Sequence, residues 1–253
     1  MKFILFIFAV VLITTSVSAE TKSVHVFVAL ADNEHQGIVK VPELIGNGDD
    51  AKENLYWGAL YGVKTFFKGS KDWELKKTIS DPSDEIIERI IFYNKKNDVW
   101  LVADAYRGSE IKKSVKDFLN AVAGNDSQEL KLDDKTIQIN GGANLVAYIG
   151  HNGLMDFDID EDSIKANDKG RDAIILCCKS KQYFQPWLKR FKVKGVLLTT
   201  ELMAPEAYTL EAALGAWVSK KTADEILEAA AQAYAKYQKC GINPARRTFY
   251  SEK

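Results

Sequence analysis

Two short apolar runs decide the fold, and each is followed by a residue that can do chemistry. Residues 145–153 read LVAYIGHNG, and residues 173–180 read AIILCCKS. Continuous β-branched and aliphatic runs of this kind are typical of strands that are buried on both faces of a parallel sheet. In such sheets, ligands and reactive groups gather beyond the carboxyl ends of the strands. If the two strands are neighbours, His151 and Cys178 face each other across the top of the sheet.

The rest of the chain alternates short apolar segments with longer amphipathic ones. The predicted strands are 24–30, 98–103, 145–149, 173–177 and 195–200. The predicted helices are 49–67, 109–123, 206–218 and 222–238, with the end of a helix over 86–93 and a helical or irregular segment over 186–191. This alternation predicts an α/β fold, a three-layer sandwich with a mainly parallel central sheet. Because no repeat or linker interrupts the pattern, residues 20–253 are expected to form a single domain.

Composition excludes several classes of protein. The 253 residues include 34 Lys+Arg and 35 Asp+Glu, and 46% of them are hydrophobic, which excludes a disordered chain. A net charge of −1 gives no electrostatic reason to expect a nucleic-acid partner. Three cysteines are too few for a disulfide scaffold, and the three histidines and three cysteines show no metal-ligand spacing. We therefore expect no metal and no cofactor.

The N-terminus has the pattern of a secretory signal peptide. Met1-Lys2 precedes an apolar run over Phe3–Ile13, and Val17-Ser18-Ala19 has the small residues of a cleavage site. We expect residues 1–19 to be removed, and the mature chain to be secreted or periplasmic without stable membrane insertion. The oligomeric state is left open by the sequence.

The histidine and the cysteine at the two strand ends are candidate reactive groups. A thiol needs a base or an electropositive setting to become a thiolate, and imidazole is the usual partner. Taken alone, such a pair is more often structural than catalytic. Two other interpretations stay open for the thiols: a vicinal disulfide or redox pair between Cys177 and Cys178, and a pairing of Cys177 with Cys240.

Three short motifs resemble those of one enzyme family. Residues 148–153 (YIGHNG) resemble the Tyr-x-Gly-His-Gly box of metacaspases and other caspase-like cysteine peptidases, and residues 176–180 (LCCKS) resemble their Asp-x-Cys-His-Ser box. Residues 44–55 (LIGNGDDAKENL) resemble the segment that follows the first strand of that family. The order of the predicted elements from about residue 24 to residue 218 is also the family order.

This resemblance implies a caspase-like fold and a cysteine endopeptidase that acts on a peptide or protein. His151 would be the general base and acid, and Cys178 would attack the peptide carbonyl to form a thioester. The N–H groups of Cys178 and Gly153 would hold the oxyanion. Asp50 would belong to the acidic pocket that binds a basic substrate side chain.

The sequence departs from the family pattern at the residues that matter most. Asn152 separates His151 from Gly153, and Leu176 stands where the family has an acidic residue. Ile149 replaces a small polar residue, so that only Asp50 remains of the acidic pocket. An apolar pocket is therefore as compatible with the sequence as a basic specificity. The alternative function is a catalytically inactive caspase-like domain that binds a peptide or a protein.

The remaining polar residues have simpler interpretations. The acidic stretch 156–162 is expected to be a solvated loop rather than a calcium site, because it lacks the spacing of an EF-hand. His25 is expected to pack within the first strand. His35 lies in a polar loop just past that strand.

Overall fold

The computed structural model describes residues 21–167 and 170–252. The predicted signal peptide, residues 1–19, lies outside the described residues. The strands are β1 Lys22–Ala29, β2 Glu74–Ser80, β3 Ile86–Asn94, β4 Val99–Tyr106, β5 Gln128–Leu132, β6 Lys135–Ile139, β7 Leu145–Ile149, β8 Asp172–Leu176, β9 Lys194–Thr199 and β10 Phe249–Tyr250. The α-helices are α1 Val63–Lys68, α2 Ile111–Ala123, α3 Ser180–Phe191, α4 Ala207–Val218, α5 Ala223–Gln238 and α6 Ile242–Thr248.

Eight of these strands form one central sheet in the order β10-β9-β8-β7-β1-β4-β3-β2. The five inner strands, from β9 to β4, run parallel to one another. The two edges are antiparallel, formed by β2 and β3 on one side and β10 on the other. Strands β5 and β6 form a separate hairpin. Burial on both faces explains why the inner strands are continuous apolar runs.

Helices cover both faces of this sheet. Residues of α1, α4 and α5 pack in one buried cluster with one set of sheet side chains. Residues of α2 and α3 pack in a second cluster with the alternate set, since successive strand residues point to opposite faces. The prediction of an α/β sandwich with a mainly parallel central sheet is confirmed in this form. Within the described ranges, no helix is long and apolar enough to cross a bilayer.

Most of the predicted inner strands and long helices lie within two residues of their observed bounds. The predicted helix over 49–67 is wrong, because only Val63–Lys68 is helical. The Asn54 side chain accepts a hydrogen bond from the N–H of Ala31 and donates to its carbonyl, which holds the chain in a turn. A Cβ on Gly58 would lie 1.9 Å from the carbonyl oxygen of Lys52, so the backbone folds back on itself there.

The predicted helix end over 86–93 is also wrong, because these residues form β3. Its isoleucines and aromatic residues favour a strand wherever a partner is present. The antiparallel neighbours β2 and β4 supply that partner on both sides. The sequence pattern also missed β2, the β5–β6 hairpin, α6 and β10.

Candidate functional site

Strands β7 and β8 are parallel neighbours in the sheet, with Ile149 paired to Leu176. His151 and Cys178 each stand two residues beyond this last pair. Gly150 makes the turn after β7 with φ 146°, a conformation that favours glycine. A Cβ there would also lie 2.9 Å from the carbonyl oxygen of Ala29 on β1. Glycine is therefore the residue that lets the chain leave the sheet and present His151.

His151 and Cys178 line the same cavity, which has a volume of about 670 Å³. The rest of its lining is mostly apolar. These apolar side chains include Ile38, Val39, Leu55, Met155, Leu202 and Met203. Three of them are exposed at the surface: Val39, Met155 and Leu202. The structure thus brings the two predicted reactive groups together in one open cavity that is lined mostly by apolar side chains.

The histidine contacts Asp156, an aspartate of the stretch that was expected to be a solvated loop. Nε2 of His151 lies 2.7 Å from Oδ2 of Asp156, and the backbone N–H of Gly37 donates to the same oxygen. The Tyr148 hydroxyl donates to the His151 carbonyl at 2.7 Å. If Nε2 carries the proton, Nδ1 is left as the basic nitrogen. Among the described residues, Nδ1 has no hydrogen-bond partner of its own.

Cys178 sits in a tight turn between β8 and α3. The next residue, Lys179, has φ 51°, which is uncommon for a residue other than glycine. The turn is held by Ser180, whose hydroxyl donates to the Ile175 carbonyl at 2.8 Å and accepts from the N–H of Thr199 at 2.8 Å. The strained turn is thus fixed by the ends of β8 and β9. It places Cys178 beside the first turn of α3, where the helix end favours negative charge.

The two adjacent cysteines have different environments. Cys177 is fully buried against α2 and α3, and burial raises the pKa of its thiol well above the ordinary range. Cys178 is half-buried, and its sulfur lies 3.6 Å from the carbonyl oxygen of Met203. All three cysteines are free thiols, Cys240 included. Cys178 is therefore the thiol that a molecule entering the cavity would meet.

Asn152, which separates His151 from Gly153, connects the two strand ends. Its side chain is fully buried and donates from Nδ2 to the Cys178 carbonyl at 2.7 Å. Its Oδ1 accepts from the N–H of Leu154 at 3.1 Å. Asn152 therefore fixes the Cys178 turn relative to the His151 loop, a role that the sequence argument missed.

Two other predicted site residues do not line this cavity. Gly153 is buried on the α2 side, where a Cβ would lie 2.6 Å from the ring of Phe157. Asp50 lines a separate pocket of about 490 Å³ that also includes His35. Neither residue is thus brought into contact with the cavity where His151 and Cys178 meet.

The rest of the acidic stretch behaves as a solvated loop. Glu161 and Asp162 form exposed ion pairs with Arg190. Within the part of the chain that the structure describes, no cluster of three or more metal-ligating side chains is found. Asp156 is the exception in this loop, because its carboxylate contacts His151. The sequence holds no specific signal for this contact, since a carboxylate that orients a base is recognised by geometry and not by its position in the chain.

Comparisons of this chain with protein-family models, with curated proteins and with solved structures found no match.

Proposed function

We propose that this protein is a cysteine peptidase with a caspase-like arrangement of its catalytic groups, in which Cys178 is the nucleophile and His151 the base. What carries the proposal is that the two residues line one cavity from the ends of neighbouring parallel strands. Asp156 joins them as the residue that orients His151 through Nε2. Export through the N-terminal signal remains part of the proposal.

The chemistry follows from these three side chains. Nδ1 of His151 takes the thiol proton of Cys178, and the sulfur attacks the carbonyl carbon of the scissile peptide bond. The resulting tetrahedral oxyanion collapses when His151 returns its proton to the departing amine, which leaves an acyl thioester on Cys178. Water, deprotonated by His151, then attacks the thioester and releases the acid and the thiol. Asp156 holds the ring in one tautomer and in one orientation.

The oxyanion needs a donor close to Cys178. The backbone N–H of Cys178 remains the donor that the sequence predicts for the oxyanion. The Gly153 N–H is a weaker candidate, because this residue packs against Phe157 and Ile111 rather than along the cavity. Asn152 contributes by keeping the Cys178 turn at a fixed position relative to the His151 loop. We therefore expect the catalytic geometry to depend on Asn152 even though it takes no part in the proton transfers.

The cavity lining favours an apolar substrate side chain. Leu55, Met155 and Met203 offer no charge to a Lys or Arg side chain, and Asp50 lies in a different pocket. Glu206 is the one carboxylate among the residues that line the cavity. Partial burial raises its pKa, although the hydroxyl of Tyr208 and the amide of Gln238 donate to it. An apolar side chain would gain roughly 25 cal/mol for each Å² that leaves water.

Alkylation of individual thiols by iodoacetamide tests the proposal. Cys240 is half-buried like Cys178 but has no histidine beside it, so it serves as an internal reference. We expect Cys178 to react about a hundredfold faster than Cys240 near neutral pH, within the range of a general base. The variant H151N should remove that difference, and C178A should remove the fast label together with any peptide hydrolysis.

Peptide mapping by mass spectrometry would assign each label to its cysteine. Equal rates at Cys178 and Cys240, or an unchanged fast phase in C178A, would contradict the dyad. The variant D156N should slow the Cys178 reaction less than H151N does, because the base is kept but is no longer held.

One observation favours a non-catalytic binding module as the second candidate. The Cys178 sulfur lies 3.6 Å from the Met203 carbonyl, a contact that suits a neutral thiol donor. If the thiol stays protonated there, the cavity would bind an apolar peptide segment without cleaving it. Fluorescence anisotropy with leucine-rich peptides distinguishes the two functions, since binding that persists unchanged in C178A without hydrolysis by the wild type favours the module.

A further inference from the structure

The end of the sheet opposite to the Cys178 cavity carries a concentrated positive charge. A pocket of about 600 Å³ opens where β1, β8 and β9 begin and where α4 passes into α5. Its cationic lining residues are Lys22, Arg171, Lys192, Lys194, Lys220 and Lys221. Asp172 is its one acidic lining residue. In a chain with a net charge of −1, this is a strong local imbalance.

Several of these lysines form no ion pair with another described residue. Within residues 21–167 and 170–252, Lys22, Lys192, Lys194 and Lys220 take part in no ion pair, whereas Lys221 contacts Glu225 at 2.9 Å. Lysines are favoured beside helix C-termini, which accounts for Lys192 after α3 and for Lys220 after α4. That explanation does not extend to the first residues of strands β1 and β9, Lys22 and Lys194. The positive charge of the pocket therefore exceeds what helix capping requires.

Contacts among Trp217, Asp172 and Lys22 fix the side chains at the base of the pocket. Nε1 of Trp217 donates to Oδ2 of Asp172 at 2.7 Å, so the single acidic group is already engaged. The ammonium group of Lys22 lies 3.9 Å from the centre of the Trp217 ring, a cation–π contact. Burial lowers the pKa of Lys22, and the charge of Lys220 lowers it further, while the charge of Asp172 acts in the opposite direction. An anion placed between these two ammonium groups would relieve their repulsion.

We propose that this pocket binds a small anion that carries more than one phosphate group. Its volume lies within the range of small-molecule sites, which is roughly 300–1,000 Å³. Compact lysine ammonium groups are suited to phosphate oxygens as point charges. The ligand would be surrounded by the ammonium groups of Lys22, Lys194 and Lys220. These lysines come from two strands and from the turn between two helices. The site is independent of the proposed peptidase chemistry at the other end of the sheet.

Tripolyphosphate is the probe for this site, and the fluorescence of Trp217 is the readout. Ligand binding to Lys22 should change the emission of the indole beneath it, and W217F should lose that signal while calorimetry still detects binding. The triple variant K22Q/K194Q/K220Q should weaken binding about tenfold or more, because the three ammonium groups that are proposed to surround the anion lose their charge. The control K71Q/K116Q/K131Q replaces three exposed lysines elsewhere on the surface that form no ion pair with any described residue, and it should change binding by no more than about twofold.

Three outcomes would overturn the proposal. The first is the absence of saturable binding to the wild type by calorimetry. The second is equal weakening in both triple variants, which would mean a general response to net charge. The third is binding to vesicles of phosphatidylcholine and phosphatidylglycerol without binding to tripolyphosphate, which would replace a small-anion pocket by a membrane-surface contact.

Discussion

Two histidine–aspartate pairs in this protein have the same chemistry and opposite surroundings. In the middle of the sheet, His25 and Asp104 are 0% and 1% exposed, and Nε2 lies 3.0 Å from Oδ2. At the strand ends, His151 and Asp156 are 8% and 29% exposed, with a separation of 2.7 Å. Distance alone therefore does not distinguish a structural pair from a candidate catalytic one.

The second ring nitrogen distinguishes them. Nδ1 of His25 accepts a hydrogen bond from the N–H of Asn140 at 3.0 Å. Both nitrogens of this ring are therefore engaged, and neither is available as a base. Asp104 is also held by Arg89, whose Nε lies 2.6 Å from Oδ1. His151 instead faces a cavity that it shares with a thiol. A histidine becomes a candidate base when the fold satisfies one nitrogen and leaves the other beside a reactive group.

The largest expected effect is a difference in unfolding free energy when the aspartate of each pair is replaced. The variant D104N leaves the Arg89 guanidinium with a weaker partner in the sheet, and removing one member of a buried pair costs about 3–5 kcal/mol of unfolding free energy. The matched variant D156N should cost only about 1 kcal/mol, the value of an ordinary hydrogen bond. Urea denaturation of both variants measures the difference, and equal losses would mean that the two pairs are alike.

The next effect is the loss of stability at low pH that the His25–Asp104 pair is expected to cause. Burial disfavours the charged form of Asp104, but the hydrogen bonds from Arg89 and His25 outweigh it and hold its pKa at about 2, below the ordinary 3.8. Folding therefore favours the ionised carboxylate, and its contribution is present above pH 3.8 and lost as the pH falls through about 2.

That shift corresponds to about 2 kcal/mol of unfolding free energy. Stability curves of the wild type and D104N, measured by urea denaturation, should lie about 2 kcal/mol closer together at pH 2 than at neutral pH. Parallel curves would contradict an ionised Asp104 in the folded protein.

A smaller effect tests how the cavity is held together. The variant N152A leaves the partly buried Cys178 carbonyl without its side-chain donor and should cost about 1–2 kcal/mol of unfolding free energy. It should also slow the alkylation of Cys178, because the turn is no longer fixed relative to His151. N97A is the control, since Asn97 likewise donates from its side chain to a backbone carbonyl, that of Val218, far from the cavity. Similar alkylation rates in both variants would show that Asn152 only stabilises the fold.

The smallest effect concerns the third histidine, which also contacts an aspartate. His35 is exposed, and its Nδ1 lies 2.9 Å from Oδ2 of Asp32. The hydrogen bond with Asp32 raises the pKa of His35 above its ordinary value. An NMR titration should therefore give a midpoint above that of an unperturbed histidine, and D32N should lower it. A midpoint unchanged in D32N would mean that exposure to water cancels the contact.

Much of the architecture follows from local pattern. The apolar runs at 145–149 and 173–177 predict buried parallel strands, because only burial on both faces favours continuous apolar residues. Gly124 ends α2 with φ 90°, and Thr222 with Glu225 forms a capping box at the start of α5. These features depend on neighbours within a few residues of each other. The segment over 49–67 was predicted wrongly because Asn54 bonds to Ala31, a contact with another part of the chain.

The sequence by itself determined the parallel sheet and the two strand ends at which a histidine and a thiol leave it. Only the tertiary structure decided which aspartate holds each histidine, that Asn152 clamps the Cys178 turn, and that Asp50 lies in a different pocket from Cys178. The physical reason is that periodicity records which face of an element is buried. The partner of a polar side chain depends instead on loops, whose paths are set by contacts between residues far apart in the chain.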